Sequence, residues 1–255
     1  FKVPKSMKIT LTGTRPENTS AVDVVLRLLQ EFGAAGLLGY AAEFYGEPVE
    51  RMSLSDRITI ASMATEMGGI IALFPPNEAV LRHFESVTGE KIEAVYADDD
   101  ADYAKEVTVN LNDLEPMTAR PGHPEDAVPV REIAGTKIDS AFIGSCTNGR
   151  YEDMEAAAAI LKNKKVAPGV VLKIVPATRE VWEQSLENGL VDIFMKAGAL
   201  IGNAGCAGCA AGQIGQNGPG EVTISTGNRN YAGKQGKGSV YLASPETVAA
   251  SAVSG

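Results

Sequence analysis

Three cysteines give the clearest indication of chemistry in the sequence. Cys206 and Cys209 form a close Cys-Ala-Gly-Cys pair, and Cys146 lies well before them. An odd number of cysteines with one close pair is typical of a metal site in a reducing compartment rather than of a disulfide framework. The spacing allows three kinds of site: a thioredoxin-like dithiol, a structural zinc site, or an iron–sulfur cluster held by three thiolates.

The residues around the pair favour the iron–sulfur cluster among these alternatives. Residues 202–212 are mostly glycine and alanine, which let the backbone approach a bulky cofactor and offer N–H groups to its sulfurs. A thioredoxin-like dithiol needs no third cysteine. Neither His83 nor His123 stands in the sequence where it would complete a zinc site, and both are expected to be structural or surface residues. Zinc and plain buried cysteines stay open on spacing alone.

The elements that must position the cysteines follow a β-loop-α pattern from Lys137 onward. We predict strands over 138–143, 170–175, 199–201, 222–225 and 240–243, and helices over 152–161, after Thr178 and from Pro245. Alternating strands and helices predict a mainly parallel sheet, whose ligand site lies at the carboxyl ends of the strands. Cys146 follows one predicted strand and the cysteine pair another, so we expect them to reach the same edge.

The first part of the chain predicts a strand and a helix. Residues 7–12 alternate between polar and apolar, which predicts a strand. Ser20 and Asp23 have the spacing of a capped helix start, and that helix is predicted to end at Gly33.

A second helix is predicted from Ser53 to the Gly68-Gly69 pair. Most of its surface is apolar, but one narrow stripe is polar, formed by Ser55, Thr59, Ser62 and Glu66. A buried helix must turn such a stripe towards polar partners or water. The simpler interpretation, which the pattern alone favours, is a solvent-facing edge that ends in a surface glutamate.

The composition around 101–130 is acidic and rich in proline, with one short predicted strand at 107–111. We interpret this segment as a connection between two α/β domains. The first domain is predicted over 1–100 and contains Glu66, and the second is predicted over 131–255 and contains the three cysteines.

The overall charge limits the classes of partner. A net charge of −9 and an isoelectric point near 4.9 argue against nucleic acid or an anionic membrane. No apolar stretch is long enough to span a bilayer and no secretion signal is visible, so we expect a cytoplasmic protein. The chain of 255 residues begins with Phe1 rather than methionine, and we expect it to be part of something longer.

Several motifs, all in the same order, resemble those of the aconitase family. They are KVP at 2–4, MATEMGG at 63–69, IGSCTN at 143–148, YED at 151–153, the cysteine pair at 206–209, GNRNYAG at 227–233, YLASPE at 241–246 and ASAV at 250–253. The resemblance covers nearly the whole chain. It is strongest to the large subunits of 3-isopropylmalate, homoaconitate and dimethylmalate-type dehydratases.

The resemblance implies three-layer α/β/α domains with mainly parallel sheets and a [4Fe–4S] cluster in which one iron has no protein ligand. Such an iron acts as a Lewis acid when water is removed from a hydroxy acid. The implied cluster ligands are Cys146, Cys206 and Cys209. The other implied site residues are Glu66 and Arg229 in catalysis, Arg229, Lys234 and Asn228 in substrate binding, and Asn148 and Ser145 in support of the cluster.

Three features depart from the usual pattern of the family. Lys234 stands where a second arginine is usual, so a point charge replaces bidentate carboxylate recognition. Ser62 stands in place of an asparagine. The pair is Cys-Ala-Gly-Cys rather than Cys-Gly-Pro-Cys, with Gln213 where many isopropylmalate relatives have histidine. These departures leave the substrate open without affecting the cluster.

Two domains of the family have no counterpart in the chain: the first domain and the swivelling domain. The resemblance therefore implies part of a hydro-lyase large subunit of amino-acid biosynthesis. Its implied partners are a small carboxylate substrate, a separate small swivelling-domain subunit and the missing N-terminal domain. Alone, the chain is expected to bind a cluster but not to turn over substrate. Two alternatives stay open, a non-catalytic iron–sulfur or zinc scaffold or sensor, and an iron-responsive RNA binder, against which the acidic charge counts.

Overall fold

The structure, a computed structural model, describes residues 2–255. The chain folds into two compact units, one ending at Leu114 and the other over Glu115–Gly255. The elements of the first unit are β1 (Lys5–Thr12), α1 (Ala21–Phe32), β2 (Tyr40–Tyr45), α2 (Glu47–Arg51), α3 (Leu54–Met63), β3 (Ile71–Leu73), α4 (Glu78–Thr88) and β4 (Lys105–Asn110). Those of the second unit are β5 (Met117–Ala119), β6 (Ala127–Pro129), β7 (Ser140–Ile143), α5 (Tyr151–Leu161), β8 (Val171–Ile174), α6 (Arg179–Glu187), α7 (Leu190–Ala197), β9 (Leu200–Ile201), β10 (Val222–Ser225), β11 (Ser239–Ala243) and α8 (Pro245–Ser254).

The first unit is built on a four-stranded parallel sheet in the order β3-β2-β1-β4. In β1 the alternate residues Ile9 and Leu11 are fully buried, which follows from the strand's period of two. Helix α1 begins with a capping box, in which the backbone N–H of Ser20 donates to Asp23 Oδ2 at 2.7 Å, and its C-cap is Gly33. The predicted start and end of this helix are confirmed.

The predicted second helix changes geometry before its end. Helix α3 starts at a capping box formed by Ser53 and Asp56. It then tightens into a 3₁₀ turn over Ala64–Met67, which is closed by Gly68 with a left-handed φ of 80°. Glu66 lies in that turn and is only 5% exposed. Its interpretation as a surface glutamate is therefore wrong.

The second unit contains a seven-stranded sheet in the order β6-β5-β11-β10-β7-β8-β9. Strands β5 and β6 are antiparallel to their neighbours and the others are parallel. Helices α5, α7 and α8 share one hydrophobic core with β7 and β8. The predicted α/β class with mainly parallel sheets is confirmed.

The segment 101–130, predicted as a connection, is divided between the two units. Strand β4 pairs with β1 in the first sheet, whereas β5 and β6 belong to the second sheet. Within residues 2–255, the helices are all too short or too polar to span a bilayer.

Arg57 is a buried cation that holds three backbone carbonyls of the first unit. Its guanidinium donates to the oxygens of Val49 (2.8 Å), Met52 (3.3 Å) and Pro75 (2.6 Å), and it lies 5.9 Å from the ring centre of Phe74. Burial lowers the pKa of Arg57. We expect Arg57→Ala to lower the free energy of unfolding by about 3 kcal/mol, because buried polar groups left without a partner each cost about 1–3 kcal/mol.

Urea denaturation followed by circular dichroism measures this loss. Arg82→Ala is the matched control, because Arg82 is an exposed residue paired with Glu78 on α4 and its loss should change stability by about 0.5 kcal/mol or less. Equal losses in the two variants would show that the carbonyl contacts of Arg57 contribute nothing.

Candidate metal centre

The three thiols lie together beyond the carboxyl ends of strands in the second unit. Cys146 follows β7 and the cysteine pair follows β9, and these two strands flank β8 in the sheet. Cys206 lies close enough to Cys146 and to Cys209 to raise the pKa of each. All three are free thiols, with Cys146 and Cys206 exposed and Cys209 half-buried. The structure therefore brings the sulfurs into one accessible group.

The electrostatics of this group favour a positively charged occupant. Burial raises the pKa of Cys146 and of Cys209, and the neighbouring Cys206 raises both further. The positive charge of Arg150 lowers the pKa of Cys146, and the positive charge of Lys234 lowers the pKa of Cys209. Three thiolates so close together repel one another. A metal group that binds them supplies the positive charge that relieves the repulsion.

The loop that presents Cys146 contains a strained turn. Ser145 has a φ of 90°, which is uncommon for a residue other than glycine. Its Oγ accepts hydrogen bonds from the backbone N–H groups of Thr147 (3.4 Å) and Asn148 (3.1 Å). These bonds offset the strain and turn the chain so that Cys146 is exposed between two buried neighbours.

A further set of hydrogen bonds ties this loop to the one after β10. Thr226 Oγ1 accepts from the backbone N–H of Gly144 and donates to its carbonyl, both at 2.8 Å. Asn148 Nδ2 donates to the carbonyl of Thr226 at 2.8 Å, and Thr147 Oγ1 donates to Asn228 Oδ1 at 2.6 Å. We call these five residues the loop clamp. The loop clamp fixes the position of the first cysteine loop on the sheet.

The segment of the cysteine pair lies directly on the ring of Phe142. A Cβ atom at Gly208 would come within 3.0 Å of this ring, and one at Gly215 within 2.6 Å of the ring and 2.8 Å of the carbonyl of Ala207. Gln216 Nε2 also donates to the carbonyl of Gly208. The lack of a side chain at these two glycines therefore allows the segment to pack closely against the sheet, a role that was not predicted for the small residues around the cysteine pair.

The other predicted site residues are divided between the units. Arg229 and Lys234 are half-buried in the loop between β10 and β11 of the second unit, whereas Glu66 belongs to the first unit. Arg150 and Thr226 lie near the thiols or on the loop clamp but were not predicted as site residues. The position of Arg150, four residues after Cys146, could have indicated from the sequence that a positive charge lies near this thiol. Nothing local indicated Thr226, whose partner lies 82 residues away.

The donor set is consistent with a group that needs three protein thiolates. Thiolates suit iron–sulfur clusters and zinc, and a structural zinc site needs four protein ligands. His123 bonds to Tyr231 and to the backbone N–H of Glu125, and His83 is exposed in the first unit. No group of three or more His, Cys, Asp or Glu side chains in residues 2–255 has the arrangement needed to hold a metal ion. The thiols are thus gathered but do not form a preformed cage for one ion.

Thr226→Val tests the loop clamp. We expect the second unit to lose about 2 kcal/mol of unfolding free energy, because valine leaves the buried N–H and carbonyl of Gly144 without this partner. Urea denaturation followed by the fluorescence of Trp182, which belongs to this unit, measures the loss. Thr226→Ser keeps the hydroxyl and should retain most of the stability. A serine variant as unstable as the valine variant would contradict the hydrogen-bonding role.

The family is shown by comparison with known proteins. The family model for aconitase (aconitate hydratase) matches residues 1–255, and the chain therefore belongs to the aconitase family. In fold it is similar to the crystal structure of aconitase X from Thermococcus kodakaraensis, with a TM-score of 0.51 and 15% identity over 88% of this chain and 49% of that one. At this identity the likeness concerns the fold alone.

The names of individual curated relatives are more specific than the description of the family model. The chain is 43% identical to 3-isopropylmalate dehydratase large subunit 1 of Methanopyrus kandleri, over 100% of this chain and 62% of the relative. It is 44% identical to the 3-isopropylmalate dehydratase large subunit of Nitratidesulfovibrio vulgaris, over 100% and 61%. A Methanosarcina mazei protein named probable methanogen homoaconitase large subunit is 41% identical, over 100% and 65%. The chain thus spans less than two thirds of the length of these relatives.

Proposed function

We propose that this chain is the cluster-binding part of a hydro-lyase large subunit that acts on a small hydroxy di- or tricarboxylic acid. The cofactor is a [4Fe–4S] cluster held by Cys146, Cys206 and Cys209. When bound, it supplies an iron without a protein ligand, a Lewis acid for the departing hydroxyl. The proposal is supported above all by the three free thiols gathered in one accessible group of an aconitase-family chain.

The remaining roles follow from the chemistry of the side chains. Arg229 forms a bidentate pair with one substrate carboxylate, and Lys234 attracts a second as a point charge. Asn228 uses its Oδ1 to accept from Thr147, which leaves its Nδ2 as a donor to substrate. Glu66, a buried carboxylate, exchanges a proton with the leaving or attacking oxygen.

The chain needs other parts to complete the reaction. The base that removes the proton next to the carboxylate is proposed to come from outside these residues, from the rest of the large subunit or from a small swivelling-domain subunit. The relatives are longer and are named large subunits, which supports this division. Alone, the chain binds the cluster but does not turn over substrate.

Anaerobic reconstitution tests the proposal in two stages. With iron and sulfide, the chain should bind about four of each. Joined to the remaining large-subunit sequence and combined with a small subunit, it should dehydrate at least one of isopropylmalate, homocitrate, citrate, citramalate and dimethylmalate. Stoichiometric zinc without sulfide would refute the cluster. A full cluster without turnover in the complete assembly would favour a non-catalytic iron–sulfur module instead.

A further inference from the structure

We infer that Arg150 is a positioning residue for the metal group. Its guanidinium donates a hydrogen bond to the sulfur atoms on the Cys146 side of that group and provides a positive charge there. The inference rests on the proposed function, because the acceptor is the proposed cluster with its thiolate ligands. Arg150 lies outside the residues to which that function gives a role.

The first support is a buried donor without a partner. Arg150 is half-buried, and its Nε is fully buried with no hydrogen-bond acceptor in residues 2–255. Most buried polar atoms in folded proteins have a partner, and one that lacks it costs about 1–3 kcal/mol. A buried N–H beside a ligand site is explained when the bound group brings the acceptor.

The second support is the fixed position of the backbone. The N–H of Arg150 donates to Asp153 Oδ2 at 2.9 Å, which holds it as the N-cap of α5. The preceding Gly149 is pressed against the chain after β8, where an added Cβ would meet the carbonyl of Val175 at 2.8 Å. Its carbonyl accepts from the N–H of Ala177 at 2.7 Å. The side chain of Arg150 therefore starts from an anchored point on both sides.

The third support is the charge around the thiols. Arg150 brings a permanent positive charge to the loop between β7 and α5, four residues after Cys146, whereas Lys234 lies on the loop between β10 and β11. Thiolates and cluster sulfides together form an anionic group, and hydrogen bonds to their sulfurs set the reduction potential of such clusters. Arginine provides a planar, permanently charged set of N–H donors, which lysine does not.

The reduction potential of the reconstituted cluster tests the inference. The full chain, Arg150→Gln, Arg150→Lys and the control Arg131→Gln are reconstituted with iron and sulfide, and their midpoint potentials are measured by titration followed with electron paramagnetic resonance. Arg131 is a suitable control because it is exposed and paired with Glu115. Arg150→Gln should disfavour the reduced cluster about tenfold, about 59 mV for one electron. Arg150→Lys keeps the charge and should show a smaller shift, and the control none.

Each outcome decides between the alternatives. If Arg150→Gln has the same midpoint potential as the parent chain, the inference is overturned. If this variant differs from the parent only in the spectral change caused by added isopropylmalate, Arg150 is assigned to substrate binding instead. If Arg150→Gln takes up no cluster, Arg150→Lys provides the test. A midpoint potential of Arg150→Lys below that of the parent chain supports the inference, and one equal to that of the parent overturns it. A parent chain without iron and sulfide overturns the proposed function and this inference with it, whereas a full parent cluster with unshifted variants overturns this inference alone.

Discussion

Cys206→Ser is expected to abolish cluster uptake, so that iron and sulfide fall from about four of each per chain to background. Cys206 raises the pKa of both Cys146 and Cys209 and so lies near both of the other proposed ligands. A serine hydroxyl stays protonated at neutral pH and is a poor ligand for iron compared with a thiolate. Iron and sulfide analysis after anaerobic reconstitution measures the effect.

A matched control separates the loss of a ligand from a disturbed loop. Ala210→Ser adds a hydroxyl at an exposed position next to Cys209 and should keep the parent content of iron and sulfide. A Cys206→Ser variant that still holds four iron ions would remove Cys206 from the ligand set.

Glu66→Gln is expected to lower kcat of the complete assembly by about 10²–10⁴-fold, the usual contribution of a positioned acid or base. Glutamine has nearly the same shape, and Glu66 is only 5% exposed in its 3₁₀ turn, so packing should be kept while proton exchange is lost. Steady-state kinetics measures the effect.

The cluster content of Glu66→Gln should equal that of the parent, because Glu66 is not a proposed ligand. Glu85→Gln, at an exposed position of α4, is the control and should keep the parent kcat. A fall in iron content that accounts for the lost activity would assign Glu66 to cluster binding instead of proton exchange.

Local patterns in the sequence predict most of the elements that position the thiols. Strand β10 has its predicted bounds, and the predicted strand and helix around Cys146 appear as β7 and α5 with small changes at their ends. The cap at Ser20 forms as predicted, and the second helix begins after Ser53 as predicted. These features depend on residues within a few positions of each other, which one sequence displays directly.

Other features depend on contacts that a single sequence does not display. Strand β2 was not predicted, because the neighbouring apolar residues Ala41 and Ala42 break the alternation of polar and apolar residues that predicts a strand. In the structure both alanines are buried. The 3₁₀ turn that buries Glu66 is set by packing rather than by the helical period. The loop clamp joins residues about eighty positions apart, so Thr226 could not be assigned to the site beforehand, and Asn148 and Asn228 were assigned only through the family resemblance.

The loop clamp also sets an order of events during synthesis of the chain. Gly144 and its partner Thr226 are 82 residues apart, and all three cysteines are synthesised before Thr226 and Asn228. Domains fold as units after the ribosome has delivered their residues, beginning at the N-terminus. The loop of Cys146 is therefore fixed only after Thr226 and Asn228 have been synthesised. Insertion of the proposed cluster into the clamped site therefore has to follow the synthesis of β10.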